Sequence, residues 1–134
     1  MPLSDDPLFV AAMQARGYAR AKYSGFAVGA ALETQGGKLY SGCNIENASF
    51  GLTLCAERVA LVKALSEGAG QFRRIAIVTG SKKKQSPAPP CGPCRQLLWE
   101  YCGDIEVIMV NLDGMEERCQ LSELFPHPFD DSSL

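Results

Sequence analysis

Three cysteines and one glutamate are the residues of this chain whose types and spacing best suit chemistry. Residues 55–57 read Cys-Ala-Glu, and residues 90–94 read Pro-Cys-Gly-Pro-Cys. Thiolates are good zinc ligands, and a zinc ion with three protein ligands keeps one position open. A carboxylate two residues from a ligand could act on whatever occupies that position. The pattern therefore predicts a zinc site in which Cys55, Cys91 and Cys94 bind the metal and Glu57 is catalytic.

Each of the two pieces precedes a stretch with the pattern of a helix, and this placement suits metal binding. Cys91 and Cys94 are three residues apart, so on a helix they share one face. The first turn of a helix has unpaired N–H groups and a positive dipole end, which favours thiolate over thiol. Cys55 is expected to open its helix in the same way. Arg58, beside Glu57, could donate hydrogen bonds to the thiolates and offset their negative charge.

Apolar periodicity and turn residues predict nine elements that could position these groups, in the order α-β-β-α-β-α-β-β-α. A single mixed sheet with helices on both faces is the natural packing of this order. We expect one domain over residues 1–134, with no repeats and no linker. The predicted helices cover residues 7–23, 55–67 and 91–102, with a short turn capped by Ser122. The predicted strands cover residues 26–32, 38–44, 74–79, 105–110 and 115–121, and residues 44–54 and 80–90 are predicted loops.

Composition and charge argue against several classes of protein. The formal net charge of −2 argues against a general nucleic-acid binder. The N-terminus has no apolar core region of a signal peptide, and no apolar run reaches the length of a membrane span. Six cysteines in such a chain are read as thiols and metal ligands. We expect a cytoplasmic protein without a membrane partner, in which His127, between two prolines, is a surface turn residue.

The two cysteine pieces together form the Cys-x-Glu…Pro-Cys-x-x-Cys signature of zinc deaminases. With the sequences at residues 23–32 (YSGFAVGAAL), 42–49 (GCNIENAS), 55–58 (CAER) and 90–96 (PCGPCRQ), the chain resembles the small cytidine deaminases over almost its whole length. The resemblance implies a three-layer α/β/α fold with a mixed five-stranded sheet and a homotetramer with one zinc per chain. It also implies hydrolysis of cytidine and 2′-deoxycytidine to the uridines and ammonia, as in pyrimidine salvage.

The resemblance also assigns roles to residues outside the zinc site. Glu57 matches the residue that carries protons to the substrate. Asn44 and Glu46 match the pair that holds the ribose hydroxyls, and an amide beside a carboxylate can bind a hydroxyl from two sides. Phe26 matches an aromatic side chain beside the nucleoside, and the backbone of Ala56 would face the pyrimidine edge. Phe129 matches a C-terminal aromatic residue that reaches the site of a neighbouring subunit.

Three other functions remain open at this point. Cys43 could be a fourth ligand of a closed, structural zinc site. The run Lys82-Lys83-Lys84 could support a deaminase that edits polynucleotides, although a solvated loop explains it as well. The substrate could also be another aminated nucleoside, such as the antibiotic blasticidin S. Under the main hypothesis Cys43, Cys102 and Cys119 are small buried thiols.

Overall fold

The computed structural model describes residues 5–80 and 88–134. Nine helices and strands in this part of the chain follow the predicted order. The helices are α1 (Pro7–Arg16), α2 (Ala56–Ser66), α3 (Gly92–Cys102) and α4 (Leu121–Leu124). The strands are β1 (Val28–Thr34), β2 (Leu39–Cys43), β3 (Phe72–Thr79), β4 (Glu106–Asn111) and β5 (Glu116–Gln120).

The five strands form one mixed sheet in the order β2-β1-β3-β4-β5. β3 and β4 are parallel, and the crossover between them contains α3. The other three pairings are antiparallel, including the predicted return of β5 along β4. The parallel pair places the ends of β3 and β4 at one edge, where Thr79 lies opposite Asn111. The prediction of a mixed five-stranded sheet is confirmed.

Helices cover both faces of the sheet, which gives the three predicted layers. On one face, Leu8 and Ala12 of α1 pack against alternate residues of the central strands, such as Ala31 and Ala76. On the other face, a larger apolar cluster packs α2 and α3 against the strand residues that alternate with those facing α1. It includes Ala30, Leu32, Ala60, Leu61, Ile75, Ile77, Leu98, Val107 and Met109. The period of two in the strands therefore divides the core between the two faces.

Close backbone contact fixes the distance between α2 and the sheet. A Cβ atom on Gly42 of β2 would lie 2.6 Å from the backbone nitrogen of Ala60 and 2.8 Å from the carbonyl oxygen of Ala56. Only glycine leaves room for the helix to approach so closely. Since Ala56 is the first residue of α2, this contact also places the N-terminus of that helix against the sheet.

The first helix is shorter than the sequence predicts. The apolar stripe indicated a helix to about Tyr23, but α1 ends at Arg16, with Gly17 at its C-cap. The chain then pairs with a later loop: the N–H of Arg20 donates to the carbonyl of Asn44 at 2.9 Å, and Arg20 accepts from Glu46 at 3.0 Å. These tertiary hydrogen bonds replace the helical ones that the stripe predicted.

One smaller prediction was also wrong. Gln120 rather than Ser122 caps α4, through reciprocal hydrogen bonds with Glu123. The hydroxyl of Ser122 instead donates to the carboxylate of Asp104 at 2.8 Å.

Two further predictions concern the loop before α3 and the absence of a membrane span. Most of the predicted loop at residues 80–90, with its lysine run, lies outside the described residues. Among the helices of the described part, none combines the length and apolar character of a membrane span.

Replacing Gly42 with alanine should destabilise the protein by about 1–3 kcal/mol, because the new methyl group meets helix backbone that cannot move aside cheaply. Denaturant unfolding measures the loss. Gly70→Ala is the matched control, since a Cβ atom at Gly70 has no neighbour within 4 Å. Equal stability of the two variants would show that α2 does not depend on this contact.

Candidate functional site

The three motif cysteines meet where the N-termini of α2 and α3 converge. Cys55 is the N-cap of α2 and Cys91 the N-cap of α3, while Cys94 is buried in the first turn of α3. The Sγ atoms of Cys55 and Cys91 are 3.5 Å apart, and those of Cys91 and Cys94 are 3.2 Å apart. All three sulfur atoms lie within 4.8 Å of one another. Residues 36 positions apart in sequence therefore form one cluster.

The donor set of this cluster suits zinc. Three sulfur ligands with bonds of about 2.3 Å in tetrahedral geometry lie a little under 4 Å apart, close to the separations found here. Arg58 adds a second observation. Its Nη2 donates to the carbonyl of Thr53 at 2.6 Å, but its buried Nε has no hydrogen-bond partner among residues 5–80 and 88–134. An unpaired guanidinium N–H beside a thiolate cluster is a suitable donor to metal-bound sulfur.

The electrostatics of the cluster favour an anion at one cysteine. Hydrogen bonds from Cys94 and Cys91, together with the charge of Arg58, lower the pKa of Cys55 to about 5. The pKa of Cys94 is raised, chiefly by its interaction with Cys55 and by burial. The Sγ atom of Cys91 donates to that of Cys94, so the remaining thiol protons lie within the cluster. Binding of a dication would release these protons, as thiolate coordination requires.

Glu57 lies in the first turn of α2 and is 5% exposed. Its removal from water, and secondarily the charge of Cys55, raise the pKa of its carboxyl group to about 7. A buried carboxyl group of this kind binds a proton more readily than one at the surface. Glu57 and two of the cysteines, Cys55 and Cys91, line the same cavity.

This cavity has a volume of about 260 Å³. Four residues that the sequence placed beside a nucleoside line it, namely Phe26, Asn44, Glu46 and Ala56. Two of the clustered cysteines, the carboxyl group of Glu57 and these four residues therefore line one concave site that a small molecule could enter.

Asn44 and Glu46 are already held in place by the segment that precedes β1. The Oδ1 atom of Asn44 accepts from the N–H of Val28 at 2.9 Å, and its Nδ2 donates to the carbonyl of Phe26 at 2.8 Å. One oxygen of Glu46 accepts from the N–H groups of Tyr23 and Ser24, each at 3.0 Å. Each side chain keeps spare hydrogen-bonding capacity that a ligand hydroxyl could use.

Phe129 lies apart from this cavity within its own chain. Its ring is 59% exposed, and its carbonyl accepts from Nε2 of Gln96 on α3 at 2.7 Å. The next residue, Asp130, accepts from Nε1 of Trp99 at 3.3 Å. The C-terminal segment is thus tied along α3, and the structure does not bring Phe129 together with the other predicted site residues.

The remaining cysteines and the histidine lie outside the cluster. Cys43 lines a different cavity, between α1, β2 and α2, with Tyr18 and Lys63. Contrary to expectation, Cys43, Cys102 and Cys119 are each partly exposed. The reason is their place in the fold: β2 and β5 are the edge strands, and Cys102 ends α3. His127 is exposed, as predicted.

Several residues that line the cavity were not singled out from the sequence. Among them are Ser24, Val28, Thr53, Leu54, Ile77, Thr79, Ala88 and Pro89. Ser24 stands before a glycine, and this pair is typical of a tight turn, but the pattern does not indicate a contact with a residue distant in sequence. The others are ordinary core or loop residues, and only the folded chain places them at a cavity.

Comparison with known proteins now adds an independent finding. The family model described as the cytidine and deoxycytidylate deaminase zinc-binding region matches residues 3–111. A cytidine deaminase from Halalkalibacterium halodurans is 50% identical over 119 residues, which cover 88% of this chain and 88% of that protein. The crystal structure of a cytidine deaminase from Burkholderia pseudomallei superposes with a TM-score of 0.86 at 45% identity, covering 91% of this chain and 96% of that one.

A relative with a different name is less similar. A blasticidin-S deaminase from Bacillus cereus is 31% identical over 104 residues, covering 74% of this chain and 74% of that protein. The similarity is lower in both identity and coverage than to the cytidine deaminase from Halalkalibacterium halodurans.

Proposed function

This chain belongs to the cytidine and deoxycytidylate deaminase family and is a zinc-dependent hydrolytic deaminase of cytidine, and we propose that it also acts on 2′-deoxycytidine. The products are the uridines and ammonia. One observation carries the proposal: a buried carboxyl group shares a single cavity with two members of the three-cysteine cluster, Cys55 and Cys91, and with the groups that would hold a nucleoside. We further propose that residues 1–134 work as one domain, in the cytoplasm, in pyrimidine salvage.

Cys55, Cys91 and Cys94 are the proposed zinc ligands. When bound, zinc makes a water molecule acidic enough to supply hydroxide near neutral pH. Arg58 lies where its unpaired Nε could donate to a ligand sulfur and reduce the negative charge of three thiolates. Because three cysteines supply the ligands, one position is left for the reacting oxygen.

Glu57 is the proposed proton carrier of the reaction. It accepts the proton that the attacking water loses and delivers it to N3 of the cytosine ring, so that C4 becomes more susceptible to attack. It then accepts the remaining proton of the hydroxyl group added at C4 and delivers it to the amine, which leaves as ammonia while the C4 carbonyl forms. A single carboxyl group can serve both transfers because it is buried at the cavity wall and close to the metal cluster.

The other cavity residues would bind and orient the nucleoside. Asn44 and Glu46 would hold the sugar hydroxyls, Phe26 would lie beside the nucleoside, and the backbone of Ala56 would face the pyrimidine edge. These contacts would keep C4 at near-attack distance from the reacting oxygen. Free cytosine, which lacks the sugar, would lose part of this orientation.

Glu57→Gln should keep the fold and the zinc but lower kcat about 10²- to 10⁴-fold, because the amide cannot carry a proton at either step. A steady-state ultraviolet assay with cytidine, combined with metal analysis, measures both effects. Glu67→Gln, at the exposed end of the same helix, is the control and should behave as wild type. Near-normal turnover by the Glu57 variant would remove this residue from the mechanism.

A homotetramer is the proposed assembly, and Phe129 is proposed to complete the site of a neighbouring subunit. The loop beside the cavity supports an interface, because Ile45, Phe50, Leu52 and Leu54 are exposed apolar side chains within ten residues of one another. The backbone carbonyl of Phe129 is bonded to α3 of its own chain, while its side chain is exposed and does not line its own cavity, which leaves it accessible to another chain. An aromatic side chain at the cavity mouth would exclude water from the bound nucleoside.

Mixing an inactive variant with an impaired one tests this sharing of residues. Phe129→Ala should raise KM and keep zinc, whereas Glu57→Ala should abolish turnover. If Phe129 acts on a neighbouring site, hybrids of the two variants contain some sites with both residues intact, and activity exceeds that of a mixture of the separate parents. Native mass spectrometry confirms hybrid tetramers. Hybrids no more active than the average of the parents would contradict the sharing of Phe129 between subunits.

A further inference from the structure

The carboxylate of Glu46 is fixed by more contacts than a sugar-binding role alone requires. Its Oε1 atom accepts from two backbone N–H groups, and its Oε2 atom accepts from the hydroxyl of Ser24. Ser24 therefore supplies two of the three hydrogen bonds, one from its backbone and one from its side chain. A carboxylate has about four acceptor sites, so one remains, on Oε2.

The direction of the Ser24 hydroxyl is determined by a second contact. Its oxygen accepts from the N–H of Phe26 at 2.9 Å, within a turn in which Gly25 has a positive φ of 69°. Because a lone pair of the hydroxyl is used toward Phe26, its proton is directed to Glu46. One hydroxyl thus connects two residues that both line the cavity, Phe26 and Glu46.

From these contacts we propose that Ser24 is a positioning residue for sugar recognition, which holds the carboxylate of Glu46 so that its remaining acceptor site on Oε2 faces the nucleoside. The inference rests on the proposed role of Glu46. Without the hydroxyl, Oε2 has no hydrogen-bond partner among the described residues, and the carboxylate can rotate away from the sugar.

The charge state of Glu46 is consistent with this role. The hydrogen bond from the Ser24 side chain, followed by that from its N–H, lowers the pKa of the Glu46 carboxyl group below its usual value. Glu46 is therefore an ionised acceptor throughout the neutral range. An ionised acceptor makes a stronger hydrogen bond to a hydroxyl than a neutral one does.

The test compares two substrates that differ by one hydroxyl group, 2′-deoxycytidine and 2′,3′-dideoxycytidine. For the wild type, kcat/KM should favour deoxycytidine, because the 3′-hydroxyl is available to Glu46. Ser24→Ala should lower kcat/KM for deoxycytidine about tenfold, mainly through KM, and leave that for dideoxycytidine nearly unchanged. The preference between the two substrates should shrink accordingly. Binding of the products, deoxyuridine and dideoxyuridine, by calorimetry should show the same change without turnover.

Three variants serve as controls. Ser24→Thr keeps the hydroxyl and should keep the preference for deoxycytidine. Ser66→Ala removes a hydroxyl whose hydrogen bond, within the described part of the chain, is to the carbonyl of Lys63 at the far end of α2, and should leave kcat/KM for both substrates unchanged. Ser24→Cys keeps a side chain of similar size with a weak donor, and gives the same comparison if the alanine variant does not fold.

The Glu46→Gln variant distinguishes the proposed sugar-binding role of Glu46 from the proposed positioning role of Ser24. If Glu46→Gln does not reduce the preference for deoxycytidine, the sugar-binding role of Glu46 is wrong and the inference falls with it. If Glu46→Gln reduces the preference but Ser24→Ala lowers both substrates equally, or neither, then Glu46 binds the sugar and the positioning role of Ser24 is overturned.

Discussion

The convergence of three sulfur atoms at two helix N-termini is the constraint on which the rest of this structure depends. Thiolates at such short separations repel one another, and only nearby positive charge makes the arrangement tolerable. The helix N-termini supply part of this positive charge and the guanidinium group of Arg58 supplies another part. Bound zinc would supply the remainder. To bring the two helix ends together, α2 must lie directly on the sheet. The absence of a side chain at Gly42 makes this close approach possible.

The nucleoside side of the cavity is built differently, from loops that hold each other. Asn44 bonds to the backbone at Phe26 and Val28, and Glu46 bonds to the backbone at Tyr23 and Ser24. The side chains proposed to bind the sugar are thus fixed by main-chain groups before any ligand arrives. Such preorganisation lowers the entropy lost on binding. In the proposed mechanism, the helix ends would carry the chemistry and the interlocked loops would orient the substrate.

The sequence predicted the elements and the metal cluster well because both depend on local patterns. Apolar periodicity reports helices and strands, and Cys-x-x-Cys at a helix start places two sulfurs together whatever the rest of the fold does. The end of α1 was mispredicted because Arg20 pairs with a loop distant in sequence, and no local pattern records that pairing. The contact between Ser24 and Glu46 could not be predicted for the same reason, because it joins residues that are 22 positions apart in sequence. The partial exposure of Cys43 and Cys119 followed from strand order, which pattern alone does not give.

The central claim is that the metal has three cysteine ligands and one position left for the reacting oxygen. X-ray absorption spectroscopy of the zinc-loaded wild-type protein tests it most directly, because sulfur and oxygen neighbours differ in both distance and scattering. We expect three sulfur atoms and one lighter atom around zinc, with an unchanged spectrum in Cys43→Ala. Four sulfur neighbours in the wild type, with one lost in Cys43→Ala, would mean a closed structural site and would contradict the account.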